Sequence, residues 1–344
     1  MNTQLPAIIT AALLTLSTTP VFAVNAADEP AAQFPIEMDG YTFDLWNSDI
    51  SDAHQLKMEP QSNGCFSGIW KKGTDGWALT PVFIACEQME NALPCLVYGD
   101  IVRSYEADFE TDGTASLEYY GCMDIGEQPQ SLSVEYHIVE AWCGLNPVGD
   151  PDYQTKLGTI CSDGKEYDLY QQVITPVSIN GGPMQYVFWS ICKESPAVVN
   201  ETNHLSGTVS VSNHLKAWAA LSAYEINYPF SSFGLSVTAY NSSGSAEILK
   251  NEKCTAPSEL TLLSKGADNA EPTQEDSEKF QAPVKLLGDT NGDGKCSVAD
   301  IILLQKWILN GTDEIMTNWK AADCDGNNLL DARDLTWLKR SLLK

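Results

Sequence analysis

The chain has 344 residues, with 46 acidic against 20 basic side chains and a formal charge of −26. That balance argues against nucleic acid or an anionic membrane surface as a partner. The length suffices for one large domain and one small one, and no stretch after the first 26 residues approaches the length of a membrane span.

Residues 1–26 carry no charged side chain and contain the apolar run Ile8 to Leu16, followed by small-residue sites near Ala23 and Ala26. This pattern predicts a secretory signal peptide and an extracellular destination. An exported chain can hold disulfides; eight of its ten cysteines precede residue 260, and spacing alone fixes no pairing.

From 35 to 253 the chain reads as β-rich. Aromatic and β-branched runs recur between Gly, Asn, Asp and Pro signals: Leu117–Tyr120, Leu132–Glu140, Tyr167–Ile174, Gln185–Ile191, Thr208–Val211 and Leu235–Tyr240. Short punctuated strands of this kind predict an antiparallel sandwich. One helix is expected at about His214–Ala223, where Leu215, Trp218, Ala219 and Leu221 form a stripe.

Several segments, taken in order, resemble family 11 glycoside hydrolases, the retaining endo-β-1,4-xylanases with a β-jelly-roll fold. They include Tyr41-Thr-Phe-Asp-Leu-Trp46, Ser133-Val-Glu135-Tyr-His-Ile-Val-Glu140-Ala-Trp142, Gly158-Thr-Ile-Cys-Ser-Asp-Gly164, Tyr167-Asp-Leu-Tyr170, Phe188-Trp-Ser190 and Asn213-His-Leu-Lys-Ala-Trp218, ending in Tyr240-Asn-Ser-Ser-Gly-Ser245. Retaining glycosidases need one carboxylate nucleophile and one carboxyl acid/base, about 5–5.5 Å apart. The resemblance puts Glu135 at the nucleophile position. His137 stands where the family has Tyr, and Tyr120 matches a substrate-contacting Tyr. The family Trp after it is Cys122 here.

The acid/base Glu of the family falls on Thr238, and no Asp or Glu lies between Asn227 and Ser245. A Thr hydroxyl cannot serve as a proton donor near neutral pH. The family Arg is absent from Gln171–Thr175, and a family Gln falls on Val187. Glu118 lies two residues before Tyr120, on the same strand face, and is a speculative substitute acid. Trp46 and Tyr240 are expected to bind sugar together with Tyr120 and His137. Trp70, Tyr119, Tyr136, Trp142 and Trp189 are further aromatic platforms, about half of which should fall in the core by strand alternation. His204 and His214 read as structural.

Residues 254–285, polar and charged over Lys265–Lys279, read as a flexible linker. Beyond them come two twelve-residue patterns. The first places Asp289, Asn291, Asp293, Lys295, Ser297 and Asp300 at loop positions 1, 3, 5, 7, 9 and 12; the second places Asp323, Asp325, Asn327, Leu329, Asp331 and Asp334 likewise. Oxygen side chains at this spacing wrap Ca²⁺, and position 7 needs only its backbone carbonyl. Each loop opens a short apolar helix, Ile301 to Leu309 and Leu335 to Leu343. Cys296 and Cys324 sit at non-ligand positions from which a bridge between the loops is conceivable.

This duplicated loop–helix unit over residues 286–344 resembles the type I dockerin domain of cellulosomes. The resemblance implies an all-α module holding two Ca²⁺ ions that docks onto a cohesin module of a scaffoldin. Val298, Ala299, Lys306, Ala332, Arg333, Lys339 and Arg340 are the expected cohesin-binding residues. Where the repeats differ, at Val298-Ala299 against Ala332-Arg333 and Gln305-Lys306 against Lys339-Arg340, the internal two-fold is imperfect.

The combined reading is an exported cellulosome component that handles xylan or a related plant-wall glycan. Its large domain is expected to bind glycan with impaired catalysis. An active retaining xylanase with a relocated acid/base, and a non-catalytic structural or protein-binding module, stay open beside it. No catalytic cofactor is implied.

Overall fold

The computed structural model describes residues 34–47, 55–74, 79–87, 101–124, 133–149, 154–174, 185–194, 197–222, 226, 230–254, 259–281, 287–291, 296–309, 319–324 and 330–342. The signal-peptide expectation lies outside them.

Fifteen strands are described: β1 Ile36–Met38, β2 Tyr41–Asn47, β3 Gln55–Pro60, β4 Phe66–Lys71, β5 Pro81–Glu87, β6 Val102–Thr111, β7 Thr114–Asp124, β8 Ser133–Cys143, β9 Gln154–Ser162, β10 Lys165–Ile174, β11 Gln185–Cys192, β12 Asn203–Ser210, β13 Phe230–Tyr240, β14 Gly244–Cys254 and β15 Thr261–Lys265. One sheet has the order β1-β2-β5-β13-β7-β8-β11-β10-β9-β15, the other β12-β6-β14-β4-β3. The pairing is antiparallel except between β8 and β11, which run parallel. The fold is the mostly-β jelly-roll sandwich that the sequence predicts.

Side-chain alternation builds the outer sheet. Along β6, Tyr105, Ala107 and Phe109 are buried, while Ser104, Glu106, Asp108 and Glu110 lie outward. The central strands of the larger sheet are covered on both faces, so Val134 to Ala141 of β8 is buried without a break. Between the sheets, the Trp70 ring lies 5.8 Å from Phe83 and 6.3 Å from Phe109, and Tyr105 meets Tyr119 edge-on at 6.4 Å. Trp70, Tyr119 and Tyr136 are thus core residues: strand parity turns Tyr119 and Tyr136 away from the face that carries Glu118 and His137, and Trp70 points from the smaller sheet into the space between the two.

The helix α1, Val211–Leu221, starts three residues before the expected His214, so Val211 is helical and not the end of a strand. The β9–β10 turn anchors its start. Asp163 and Gly164 take φ of 56° and 75° there, an Asp-Gly hairpin, and Asp163 accepts from the Ser210 backbone N–H at 2.8 Å and hydroxyl at 2.7 Å. Trp218 packs 5.9 Å from Tyr136 and 5.8 Å from Phe188. Trp218→Ala should cost about 3–5 kcal/mol.

The expected linker is corrected in part. Residues Thr261–Lys265 form β15 and pair with β9, with Leu262 and Ser264 buried. The helix α2, Gln274–Gln281, follows.

The chain divides into two compact units, Met1–Gln274 and Glu275–Lys344. The second contains α3 Val298–Ile308, α4 Trp319–Ala322 and α5 Ala332–Leu342. Its core is Leu304, Ala322, Cys324 and Leu338, flanked by Leu287, Cys296, Ile301 and Trp337. Cys296 and Cys324 form no disulfide, and neither do the other described cysteines. No described helix is long and apolar enough to cross a membrane.

Candidate functional site

Three neighbouring strands of the larger sheet, β13-β7-β8, bring the predicted residues to one face. The register sets Glu118 opposite Val139, Tyr120 opposite His137 and Cys122 opposite Glu135. On the other flank of β7, Glu118 lies opposite Ser236, and Thr238 opposite Ser116. Glu118 therefore stands on the strand between those carrying Glu135 and Thr238, four residues from Glu135 in β8 register.

Glu118 is only 2% exposed, and both of its oxygens are engaged. The Thr238 hydroxyl donates to Oε1 at 2.8 Å, and His137 Nδ1 lies 3.0 Å from Oε2. The His137 ring stacks on Trp189 at 3.8 Å with an interplanar angle of 9°. Stacking and the carboxylate contact together hold the imidazole in one orientation. Its Nε2 is buried and has no hydrogen-bond partner among the described residues.

These groups line a partly open recess. Trp46, Val82, Ser116, Glu118, His137, Trp189, Thr238 and Tyr240 form its walls, with Leu145 and Pro147 from beyond β8. Trp46, Thr238 and Tyr240 are half-buried. The structure thus brings together six of the predicted residues: Trp46, Glu118, His137, Trp189, Thr238 and Tyr240.

Glu135 and Tyr120 share the sheet face but lie outside this lining. Glu135 is 1% exposed and sits opposite Val187 on β11. Val187 packs with Val139, Val148, Trp189 and Ile191 and offers Glu135 no side-chain hydrogen bond. The Tyr120 hydroxyl is 2.7 Å from Cys122 Sγ. Burial, and next the Glu135 charge, hold both the Tyr120 phenol and the Cys122 thiol well above their ordinary values.

The sequence reading passed over Asp44. It sits two residues before Trp46 on β2, on the same strand face, and burial raises its carboxyl above the usual range. Alternation from Trp46 was the available signal. Leu145 and Pro147 gave none.

The structural histidines divide by burial. His214 is fully buried, accepts or donates at Ser190 Oγ over 2.9 Å, and burial lowers it to about 3. His204 is exposed on β12, and its contact with Asp108 raises it.

In the second unit the two loops close alike. Asp300 accepts from the backbone N–H of Asn291 at 3.1 Å and of Ser297 at 2.8 Å. Asp334 accepts from those of Cys324 and Asp331, both at 2.8 Å. Ser297 also caps α3 in a capping box with Asp300. That is why the helices begin at Val298 and Ala332, three residues before the expected starts: loop positions 9 and 12 double as the cap.

Asp289, Asp300, Asp323 and Asp334 are all buried. Asp293, Lys295, Asp325, Asn327 and Leu329 lie outside the described residues. Buried like charges in an all-oxygen donor set fit a hard divalent cation. Asp289, Asn291, Ser297 and Asp300 would hold one such ion, and Asp323, Asp331 and Asp334 the other.

All seven expected cohesin-binding residues are exposed. The sequence reading missed Ile302, Trp307 and Leu309, which are 49%, 41% and 70% exposed. The Arg333 guanidinium pairs with Asp331 at 3.0 Å, and its hydrogen bonds hold the Asp331 carboxyl below the usual range.

Fold and cleft define a class: a jelly-roll domain with a carboxyl-bearing recess, followed by a module of two loop–helix units. The profile of glycosyl hydrolases family 11 matches residues 38–249, and that of the dockerin type I domain residues 287–343. The chain belongs to glycosyl hydrolases family 11 and carries a type I dockerin. It is 28% identical over 244 residues to a bifunctional endo-1,4-β-xylanase of Ruminococcus flavefaciens, covering 69% of this chain. It is 31% identical over 219 residues to endo-1,4-β-xylanase A of Thermoclostridium stercorarium, covering 62% of this chain. The chain spans 23% and 28% of the length of those two relatives. The solved family 11 xylanase of Neocallimastix patriciarum aligns at 22% identity with a TM-score of 0.49, over 64% of this chain and 94% of that one.

Proposed function

We propose that this protein is an exported cellulosome component that holds xylan in its cleft and hydrolyses it with weakened acid catalysis. A single observation carries the reading: Thr238, at the family's acid/base position, presents a hydroxyl to the recess walled by Trp46 and Tyr240. General acid–base help is worth about 10²–10⁴-fold, and a hydroxyl of ordinary acidity cannot supply it. Glu135 keeps the nucleophile position, with Tyr120 beside it. The surviving aromatic walls support retained glycan binding.

The dockerin supports delivery to a cohesin module. Ca²⁺ would neutralise the buried carboxylates, and the loops would then set α3 and α5. Val298, Ile302 and Leu309 recur at helical spacing along α3 and are exposed, whereas α5 presents Arg333, Lys339 and Arg340. One orientation on the cohesin, led by α3, follows from that asymmetry.

Retarded migration through a gel containing xylan tests the binding half. Reducing-sugar release from xylan, with Glu135→Ala as control, tests the catalytic half. Migration unaffected by xylan would sink the reading, as would release at a rate typical of efficient xylanases.

A further inference from the structure

With a hydroxyl at position 238, the proton donor of the cleft must come from another strand. We propose that Glu118 is the acid/base for the hydrolysis the cleft retains, with His137 as its positioning residue. This rests on the proposed xylan-directed function and names the group that does the proton work there.

Thr238 Oγ1 occupies the γ position, where a Glu would carry its γ carbon, so a Glu carboxyl would begin one bond further out. Glu118 Oε1 lies 2.8 Å from that same Oγ1. A carboxyl lost from β13 is thus replaced, within about a bond length or two, by one reaching across from β7.

The neighbours fit the role. His137 Nδ1 at 3.0 Å fixes the second oxygen, and the stack on Trp189 fixes His137. The residue that departs from the family at 137 is therefore the partner of the carboxyl that reaches across from 118. Register places Glu118 on the strand next to that of Glu135 and four residues from it along β8, with His137 between the two. The sheath of Thr238 and His137, with only 2% exposure, explains weak catalysis: a substrate oxygen must take the place of the Thr238 hydroxyl at Oε1.

The chemistry then balances. Glu135 carboxylate attacks the anomeric carbon, the glycosidic C–O bond breaks, and the departing oxygen takes the proton from the Glu118 carboxyl. In the second half, Glu118 carboxylate takes a proton from water as the water oxygen attacks the anomeric carbon. The bond to Glu135 breaks, and both carboxyls return to their starting states.

The test compares kcat/KM on xylan and on dinitrophenyl β-xylobioside, whose leaving group needs no proton. Glu118→Gln should lose at least tenfold on xylan and change by less than about threefold on the aryl glycoside, and azide should raise its aryl-glycoside kcat. Returning the carboxyl to β13, in the Glu118→Gln/Thr238→Glu double variant, should recover at least tenfold on xylan. Glu118→Asp should show the same substrate split at smaller size, and decides the matter if the Gln variant does not fold. Equal losses on both substrates would overturn the proposal, as would no loss on either or no turnover of either by the unmodified chain. Xylan retardation measured on the same samples separates the two failures: if it persists, Glu118 alone is wrong; if it is absent, the proposed function is wrong as well.

Discussion

Thr238→Val isolates one interaction. Valine keeps the β-branched shape that suits a strand and removes only the hydroxyl, which donates to Glu118 Oε1 at 2.8 Å. A hydrogen bond to a carboxylate contributes about 1.5–3 kcal/mol. Thr238 is half-buried, so water can partly replace its hydroxyl, and the lower end, about 1.5 kcal/mol, is expected. Urea unfolding at pH 7 measures the loss. A double-mutant cycle with Glu118→Gln then separates this contact from general effects on β13. The expected coupling is about 1 kcal/mol or more, because the two side chains are in direct contact. Additivity within about 0.3–0.5 kcal/mol would refute the contact, and with it the placing of Glu118 in the recess.

Elsewhere in the large domain, His214 is buried and lowered to about 3 from 6.5, so the unfolded chain binds the extra proton between those values. Stability should therefore fall as pH drops from 6.5 toward 3, by about 1.4 kcal/mol for each pH unit crossed, and His214→Gln should flatten that limb in denaturant titrations. For the dockerin, chelation should unfold residues 287–342 while leaving the sandwich transition in place, as calorimetry with and without Ca²⁺ would register. Asp300→Ala should mimic half of that loss. It removes a position-12 ligand and a capping box, the cap alone being worth about 0.5–2 kcal/mol. A calcium-independent melt of this unit would rule out ion-dependent folding.

Much of the fold was legible because its signals are local. Aromatic and β-branched runs between turn residues marked β7, β8, β10, β11 and β13, and oxygen residues at fixed loop positions marked the dockerin. What escaped depends on pairing between distant segments. Tyr119 and Tyr120 are adjacent, yet one is core and the other faces Glu135; only knowledge of which face is covered decides that parity. Glu118 shares a strand face with Tyr120 in the sequence, but its contact with Thr238 spans 120 positions and needs β13 beside β7. Strand β15 was missed because Thr261–Lys265 offers only Leu262 and Ser264 inward before a long polar run. The helix starts shifted because Ser297 and Asp300 act as ligand positions and as cap at once, a double use that apolar periodicity does not register.

All of the proposed chemistry turns on a cleft that kept its nucleophile position and lost an efficient proton donor. The sharpest assay is a series of aryl β-xylobiosides with leaving groups of rising pKa, turned over by the unmodified protein. A steep fall in kcat/KM is expected along the series, reaching about 10²–10⁴-fold for poor leaving groups, with turnover abolished by Glu135→Ala. A flat series, with poor and activated leaving groups departing at similar rates, would show that the proton donor is intact.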